Sequence, residues 1–137
     1  MPFVLDASVT MAWCFADEST PYTRNILSLL LDTYAEVPAL WTFEIANVLA
    51  VCERRKRITS PISEDFLHTL AGLDIRVEQA PSVDANALLT LARRSRLSAY
   101  DAAYLELAKR KNLPLASFDK DLIGAALRED VVLLSQP

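Results

Sequence analysis

Short apolar runs alternate along this chain with longer segments of helical pattern, and that alternation is the strongest restriction on its fold. FVLD (residues 3–6) has the pattern of a buried strand that ends at an acid. Similar runs at residues 36–39, 75–79, 113–117 and 131–134 predict further strands. Helical patterns separate them, at residues 8–16, 21–34, 41–57, 63–73, 82–94, 98–111 and 122–128. Strands that alternate with helices predict an α/β fold, in which helices cover both faces of a small, mainly parallel sheet.

The size and composition fit one soluble globular domain that spans residues 1–137. The two glycines are too few for an all-β chain full of tight turns. The most apolar run, residues 26–31, is far shorter than the roughly 20 residues that cross a bilayer, so no membrane association is expected. Cys14 and Cys52 lie in apolar helical contexts, which is typical of free thiols in a reducing compartment. We therefore expect a cytoplasmic protein.

The chain is acidic, since 18 Asp and Glu against 14 Lys and Arg give a formal charge of −4. Taken over the whole surface, this charge disfavours a nucleic-acid-binding protein, because such proteins tend to be basic. The objection loses force if several acids are gathered in one pocket, since the remaining surface is then balanced.

Four acids occupy positions that a parallel α/β fold brings to one edge of its sheet. Asp6 follows the first strand, Asp119 follows the strand at residues 113–117, and Glu44 and Asp101 are expected in the first turns of their helices. Strand carboxyl ends and the helix starts after them share one edge, where ligands bind. Each acid also has a purely structural explanation as a helix cap, a turn residue or a partner of the helix dipole. Their joint position predicts an acidic crevice.

Asp101 lies in the stretch LSAYDAAYLELA (residues 97–108), which is apolar on nearly every side. Such a helix is usually buried, and a core rarely holds an unpaired carboxylate. One explanation is a capping box, S-x-x-D, formed by Ser98 and Asp101. The other is that Asp101 forms one wall of an acidic site, on a helix that its apolar residues hold in place. The two explanations are compatible.

A cluster of carboxylates restricts the chemistry of such a crevice. Acids within about 5 Å of one another repel, so that either some become protonated or a cation neutralises them. Oxygen ligands without His or Cys favour Mg²⁺ or Mn²⁺ over zinc. An ion in that position activates water and stabilises the charge on a phosphodiester during displacement. Metal-dependent hydrolysis of phosphodiesters is therefore the predicted activity.

Several further side chains are candidates for supporting roles. Ser8 and Ser117 each lie two residues from an acid of the cluster and are expected to hydrogen-bond a carboxylate or a metal-bound water. Asn47 lies one helical turn beyond Glu44 and is expected to orient it, and Asp121 adds a fifth acid. Two basic stretches are candidate phosphate contacts, although cations are also favoured at the ends of helices: Arg54, Arg55, Lys56, Arg57, Arg93, Arg94 and Arg96.

Four motifs carry a family resemblance: V-L-D-A-S, W-T-F-E-I-A-N, L-S-A-Y-D-A-A-Y-L-E-L-A and L-A-S-F-D-K-D-L. In order and spacing they resemble the PIN-domain ribonucleases, and most of all the VapC-type toxins of toxin–antitoxin modules. The resemblance runs from Phe3 to about Leu122. The ordered set is far more specific than any single motif.

The resemblance implies a three-layer α/β/α sandwich and a Mg²⁺- or Mn²⁺-dependent endoribonuclease. By position, the catalytic acids of the family fall on Asp6, Glu44, Asp101 and Asp119. The usual metal ligands are Asp6 and Asp101, so that the other two acids would act through water or a second ion. The resemblance also implies a homodimer and a cognate antitoxin whose C-terminal segment blocks the acidic cleft. Ser98 and Ser117 stand where the family often has Thr, and the hydroxyl is kept.

Two other classes of function remain open. A non-catalytic PIN-like module would keep the acids but act by holding RNA or a protein, although no acid is missing to favour this. A phospho-accepting receiver domain also gathers Asp residues at strand ends, and it requires paired acids early in the chain. Here Asp17 and Glu18 are too far from Asp6, and Lys120, the candidate for its late lysine, falls among acids. The receiver domain therefore ranks third.

Overall fold

A sheet of four parallel strands forms the centre of the computed structural model, which describes residues 1–81 and 83–134. In sheet order the strands are β3 (Ile75–Val77), β2 (Ala35–Val37), β1 (Phe3–Leu5) and β4 (Leu115–Ala116). The register pairs Val4 with Glu36 on one side and with Leu115 on the other. β1 is fully buried, because it is a central strand with helices over both faces.

The helices form a layer on each face of the sheet. Within the described residues they are α1 (Ala7–Ala12), α2 (Pro21–Leu29), α3 (Leu40–Arg54), α4 (Ser60–Ala71), α5 (Ala85–Ser95), α6 (Ala99–Lys111) and α7 (Lys120–Arg128). The chain runs from β1 through β2 to β3 and then returns past β1 to β4. Because parallel crossovers are right-handed, this reversal places α1 to α4 on one face and α5 to α7 on the other. The predicted α/β/α sandwich is confirmed.

The order in which strands are added reverses at β1, because β2 and β3 lie on one side of it and β4 lies on the other. Open α/β sheets form their ligand crevices at such a switch point. The Asp6 amide donates to the Ala116 carbonyl (3.0 Å) just beyond β1. The hydrogen bonding between β1 and β4 thus extends to Asp6. Asp6 and the segment after β4 consequently leave the sheet side by side.

Helix α6 borders this crevice and is buried along one side. Its side chains Ala102, Tyr104, Leu105 and Leu107 are fully enclosed, and the helix packs against α5, β1 and β4. It ends at Asn112, whose left-handed φ of 53° closes the last turn. Among the described residues, no helix is both long and apolar enough to cross a membrane.

The first predicted helix, at residues 8–16, is shorter than expected. α1 ends at Ala12, and a short 3-10 helix (Ala16–Glu18) follows it. The Trp13 indole N–H donates to the Thr23 carbonyl (2.8 Å), which ties the end of α1 to α2. The chain therefore turns away from the helical path, and the acidic 3-10 helix comes to border the crevice.

Other elements also differ from the predictions, and the helix expected at residues 21–34 ends earlier, at Leu29. The strand expected at residues 131–134 is reduced to a single parallel bridge between Leu115 and Leu133. The helix expected from residue 82 begins at Ala85, after the capping residue Asp84, and Ser82 itself lies outside the described residues. The placement of Glu44 in a first turn is wrong, because α3 starts at Leu40 and puts this acid in the second turn.

Candidate active site

A cavity of about 740 Å³ lies at the switch point, and all four predicted catalytic acids line it. They come from four separate segments of the chain: the ends of β1 and β4 and the N-terminal halves of α3 and α6. The lining residues are Asp6, Ala7, Ser8, Met11, Ala12, Phe15, Asp17, Glu18, Thr20, Glu44, Val48, Arg57, Asp101, Phe118 and Asp119. The cavity therefore lies at the edge of the sheet where strand ends and helix starts meet, which is the place that the sequence predicted for an acidic crevice.

Asp6 is the most deeply buried acid of the cavity, with 5% of its surface exposed. The hydroxyls of Ser8 and Ser117 each donate to its Oδ2 at 2.7 Å. Those hydroxyl oxygens accept the backbone amides of Phe118 (3.1 Å) and Asp119 (3.0 Å), which turns their protons towards Asp6. Burial raises the pKa of the Asp6 carboxyl above its usual range, although the two hydroxyls oppose this rise.

Glu44 is held by a partner that was not predicted. The buried phenol of Tyr104 donates to Glu44 Oε1 at 2.6 Å and so joins α6 to α3. Burial raises the pKa of the Glu44 carboxyl, the Tyr104 hydrogen bond opposes the rise, and the charges of Asp6 and Asp101 add to it. Burial and the adjacent Glu44 raise the pKa of the Tyr104 phenol, so this group remains a donor.

One feature of the sequence could have indicated a role for Tyr104 in the site. Tyr104 lies three residues after Asp101, which places both side chains on the same side of α6. In an otherwise apolar stretch, however, a tyrosine is most simply interpreted as part of the core. Asn47, the residue predicted to orient Glu44, is exposed on α3, and none of the hydrogen bonds among the described residues joins the two side chains.

Asp101 is the third residue of α6. Half of the predicted capping box is present, since Ser98 caps the helix but the hydrogen bonds of the described residues include none from the Ser98 amide to the Asp101 carboxylate. Ser98 is the N-cap and accepts the Asp101 amide at 3.1 Å. The carboxyl lies on the cavity wall. Burial, followed by the charges of Asp119 and Asp6, raises the pKa of Asp101. The helix start thus positions a carboxylate whose ionised form is less favourable than that of a free carboxyl, and a nearby cation would favour it.

Asp119 also combines both explanations. It is the N-cap of α7, and its Oδ1 accepts the amides of Asp121 (2.9 Å) and Leu122 (3.0 Å). These two bonds fix the carboxylate at the cavity edge. Asp121 is exposed and does not line the cavity, so the fifth acid contributes its amide to the Asp119 cap.

The donor set of the cavity suits a hard divalent cation. Its lining acids offer only oxygen ligands, which Mg²⁺ and Mn²⁺ prefer, and repulsion among them would be relieved by a cation. Within residues 1–81 and 83–134, no three Asp, Glu, His or Cys side chains are close enough to form a ready-made cage. Mg²⁺ usually needs only one or two protein carboxylates, since water completes its octahedron. Asp6 and Asp101 are suited to such a role.

Of the seven basic candidates, the structure brings Arg57 to the cavity. Arg54, Arg55 and Lys56 are exposed and lie outside its lining, where the preceding helix ends. The second group, Arg93, Arg94 and Arg96, lies at the C-terminal end of α5 and does not line the cavity either. Arg94 is engaged in an ion pair with Glu129.

The fold and the cavity together define an α/β/α sandwich protein with an acidic site at the switch point of its sheet. By sequence, the PIN domain family model matches residues 3–126. The chain therefore belongs to the PIN domain family. PIN domains are generally nucleases, and these nucleases generally use divalent metal ions. No curated protein matches the chain.

Solved structures share the fold at low sequence identity. PAE2754 from Pyrobaculum aerophilum is 19% identical with a TM-score of 0.71, over 91% of this chain and 84% of that chain. VapBC2 from Rickettsia felis, bound to a DNA fragment from their promoter, is 12% identical with a TM-score of 0.66, over 98% of each chain. FitAcB from Neisseria gonorrhoeae is 21% identical with a TM-score of 0.52, over 99% of this chain and 98% of that chain. At these identities the likeness is one of fold.

Proposed function

We propose that the protein is a single-domain, Mg²⁺- or Mn²⁺-dependent endoribonuclease and acts in the cytoplasm as the toxin of a type II toxin–antitoxin module. One observation carries the proposal: four carboxylates from distant parts of the chain converge on one cavity. Burial raises the pKa values of Asp6, Glu44 and Asp101 there. Acids whose pKa values are shifted by burial and by a charge partner in a cleft are typical of a catalytic site.

In this proposal Asp6 and Asp101 hold the metal ion, and Glu44 and Asp119 act through water or a second ion. The ion, when bound, would activate the attacking water and stabilise the negative charge that develops on the phosphodiester. The chain positions the ligands: Ser8 and Ser117 orient Asp6 through hydrogen bonds of 2.7 Å. Each acid is thus held by a hydrogen bond or a helix cap, which limits its reorganisation during the reaction.

The proposed partners are an RNA substrate, a second copy of the chain and a cognate antitoxin. The motif resemblance to VapC-type toxins supports the antitoxin, and so does the similarity in fold to VapBC2 and FitAcB. An acidic cleft that is open to solvent is suited to a basic peptide segment, which would compete with the metal ion and the substrate for the same carboxylates. We propose that the antitoxin inhibits the nuclease in this way.

The test is cleavage of RNA by the purified, antitoxin-free protein. We expect Mg²⁺ or Mn²⁺ to support cleavage, EDTA to abolish it, and Asp101→Asn to reduce it by at least about 100-fold, because a metal ligand is lost. Asp84→Asn is the matched control: it changes another acid at a helix start, but one outside the cavity. This control should cleave at the wild-type rate.

The alternative is a non-catalytic PIN-like module that holds RNA or a protein. It predicts that no structured or single-stranded RNA pool is cleaved under any metal condition, and that Asp101→Asn leaves RNA or partner binding unchanged. Either cleavage that persists in EDTA or equal rates for Asp101→Asn and Asp84→Asn would contradict the proposed metal-dependent mechanism.

A further inference from the structure

One border of the cavity is formed by Arg57 together with the acidic 3-10 helix. The Arg57 Cζ atom lies 4.0 Å from the centroid of the Phe15 ring. Its Nη2 donates to both carboxylate oxygens of Asp17 at 3.1 Å and to Glu18 Oε1 at 3.4 Å. All four residues line the cavity that contains the catalytic acids. The guanidinium is therefore supported by an aromatic ring and fixed at one edge by two carboxylates.

These contacts make Arg57 a poor ligand for phosphate. One guanidinium between the carboxylates of Asp17 and Glu18 leaves this group with a net charge of −1. A phosphate at this position would compete for Nη2 with both carboxylates, and it would be repelled by them and by the four catalytic acids. The electrostatic balance disfavours the sequence-based expectation that Arg57 contacts phosphate.

Stacking of a nucleobase on the Arg57 guanidinium does not require a net positive charge at this position. An uncharged nucleobase can stack on the plane of a guanidinium while the in-plane N–H groups keep their carboxylate partners. The Arg57 side chain is 41% exposed, whereas the Phe15 ring beneath it is only 6% exposed. Phe15 thus packs against the guanidinium, and Arg57 keeps exposed side-chain surface while it lines the cavity.

We propose that Arg57, supported by Phe15, is a stacking platform for one unpaired nucleobase of the substrate. The assignment rests on the proposed ribonuclease function and requires that the base which Arg57 contacts be unpaired. Bases inside a duplex are stacked on their neighbours and are not free to lie on a side chain. The acids would then act on a phosphodiester close to the stacked base.

The experiment measures RNA binding separately from cleavage. Short single-stranded oligoribonucleotides that carry one abasic site, moved along the strand, are titrated in Mg²⁺ against the full chain with Asp101→Asn, and fluorescence anisotropy reports the affinity. We expect one abasic position to weaken binding by about 10-fold, as the loss of one stacked base does. Arg57→Lys should remove this dependence, because it keeps the charge but lacks the planar group.

Arg24→Lys is the matched control, since Arg24 is an exposed arginine of α2 that does not line the cavity. It should keep the full abasic effect. The same oligonucleotides are then offered to the chain with Asp101 intact, where the abasic site should lower cleavage by a similar factor and Arg57→Lys should again abolish the difference.

Three outcomes contradict the platform. In the first, the loss of affinity caused by the abasic site is the same in Arg57→Lys as in the chain with Arg57 intact. In the second, no abasic position weakens binding. In the third, Arg57→Ala reduces the slope of log affinity against log salt by about 0.7, and this reduction identifies a contact between Arg57 and a phosphate of a single strand. If the chain with Asp101 intact still cleaves RNA in these cases, only the platform is wrong. If no oligonucleotide is bound or cleaved, the proposed ribonuclease function fails as well.

Discussion

The acidic cavity and the surroundings of Glu129 hold acidic side chains in opposite electrostatic environments, although the helix α6 reaches both. In the cavity, burial and then like charges raise the pKa of Asp101, and burial also raises the pKa of Asp6. At the other end of the helix, hydrogen bonds from Arg94 and Lys109 lower the pKa of the Glu129 carboxyl to about 2. The Glu129–Lys109 distance is 2.7 Å.

Both depth and neighbouring charge contribute to this difference. Burial is the leading cause of the raised pKa values of Asp6 and Asp101, whereas the Glu129 side chain lies nearer the surface and is 15% exposed. Along α6, Asp101 and Lys109 are separated by eight residues, about 12 Å. Over this distance the sign of the neighbouring charges changes as well. Unpaired acids weaken the folded state, and a cluster of them indicates a site that is suited to a cation.

The largest expected effect comes from removing a charge from the cavity. Asp6→Asn should reduce cleavage by at least about 100-fold, since a metal ligand is lost. The metal-free melting temperature should hold or rise. A carboxyl with a raised pKa in the folded state weakens that state as the pH rises through this pKa, and the amide does not ionise. Calorimetry with and without Mg²⁺ measures the melting temperatures, and an RNA cleavage assay measures the rate.

Asp32→Asn, which changes an exposed acid far from the cavity lining, is the control for this experiment. It should leave cleavage and the Mg²⁺-induced rise in melting temperature unchanged. A metal-free melting temperature that falls by several degrees in Asp6→Asn would show that the charge of Asp6 stabilises the fold, and the contrast with Glu129 would disappear.

A smaller effect is expected from Tyr104→Phe, which keeps the ring but removes the hydrogen bond of 2.6 Å to Glu44. That bond lowers the pKa of Glu44, so its loss should raise this pKa further. If cleavage needs ionised Glu44, the acidic limb of the pH–rate profile should move to higher pH, with a loss of about 10-fold near its midpoint. Tyr100→Phe, at an exposed tyrosine of the same helix, should leave the profile in place, and an unmoved profile in Tyr104→Phe would contradict the positioning role.

The smallest effect is expected at Glu129, whose carboxylate is paired with Arg94 and Lys109. Glu129→Gln should lower the free energy of unfolding by about 1 kcal/mol near neutral pH and leave cleavage unchanged. Because the folded-state pKa of Glu129 is lowered from 4.5 to about 2, the wild-type advantage is complete above about pH 4.5 and is lost as the pH falls through about 2. Urea unfolding at several pH values measures it, and a difference that does not depend on pH would exclude the ion pairs as its source.

The acidic site could be predicted from the sequence because it depends on a general property of parallel sheets. Asp6 and Asp119 follow strands, and the strand order alone brings their segments together. The hydroxyl partners Ser8 and Ser117 were also predictable, since each lies two residues from an acid along the chain. The capping role of Ser98 followed from its spacing to Asp101.

Contacts between distant side chains could not be predicted in the same way. The bond from Tyr104 to Glu44 joins two helices on opposite faces of the sheet, and no local pattern distinguishes this tyrosine from a core residue. The position of Arg57 depends on where α1 ends, because Phe15 and Asp17 lie in the segment that leaves the helical path after Trp13. Sequence periodicity predicted that this helix would continue to residue 16.

The hydrogen bond between Ser117 and Asp6 spans 111 residues of sequence, and this separation has a consequence for biosynthesis. The first acid leaves the ribosome near the start of translation, but the strand and the hydroxyl that hold it are made near residue 117. A nascent chain therefore contains three of the four acids without an assembled cavity. The proposed nuclease activity could begin only after most of the chain has been synthesised and β4 has joined the sheet.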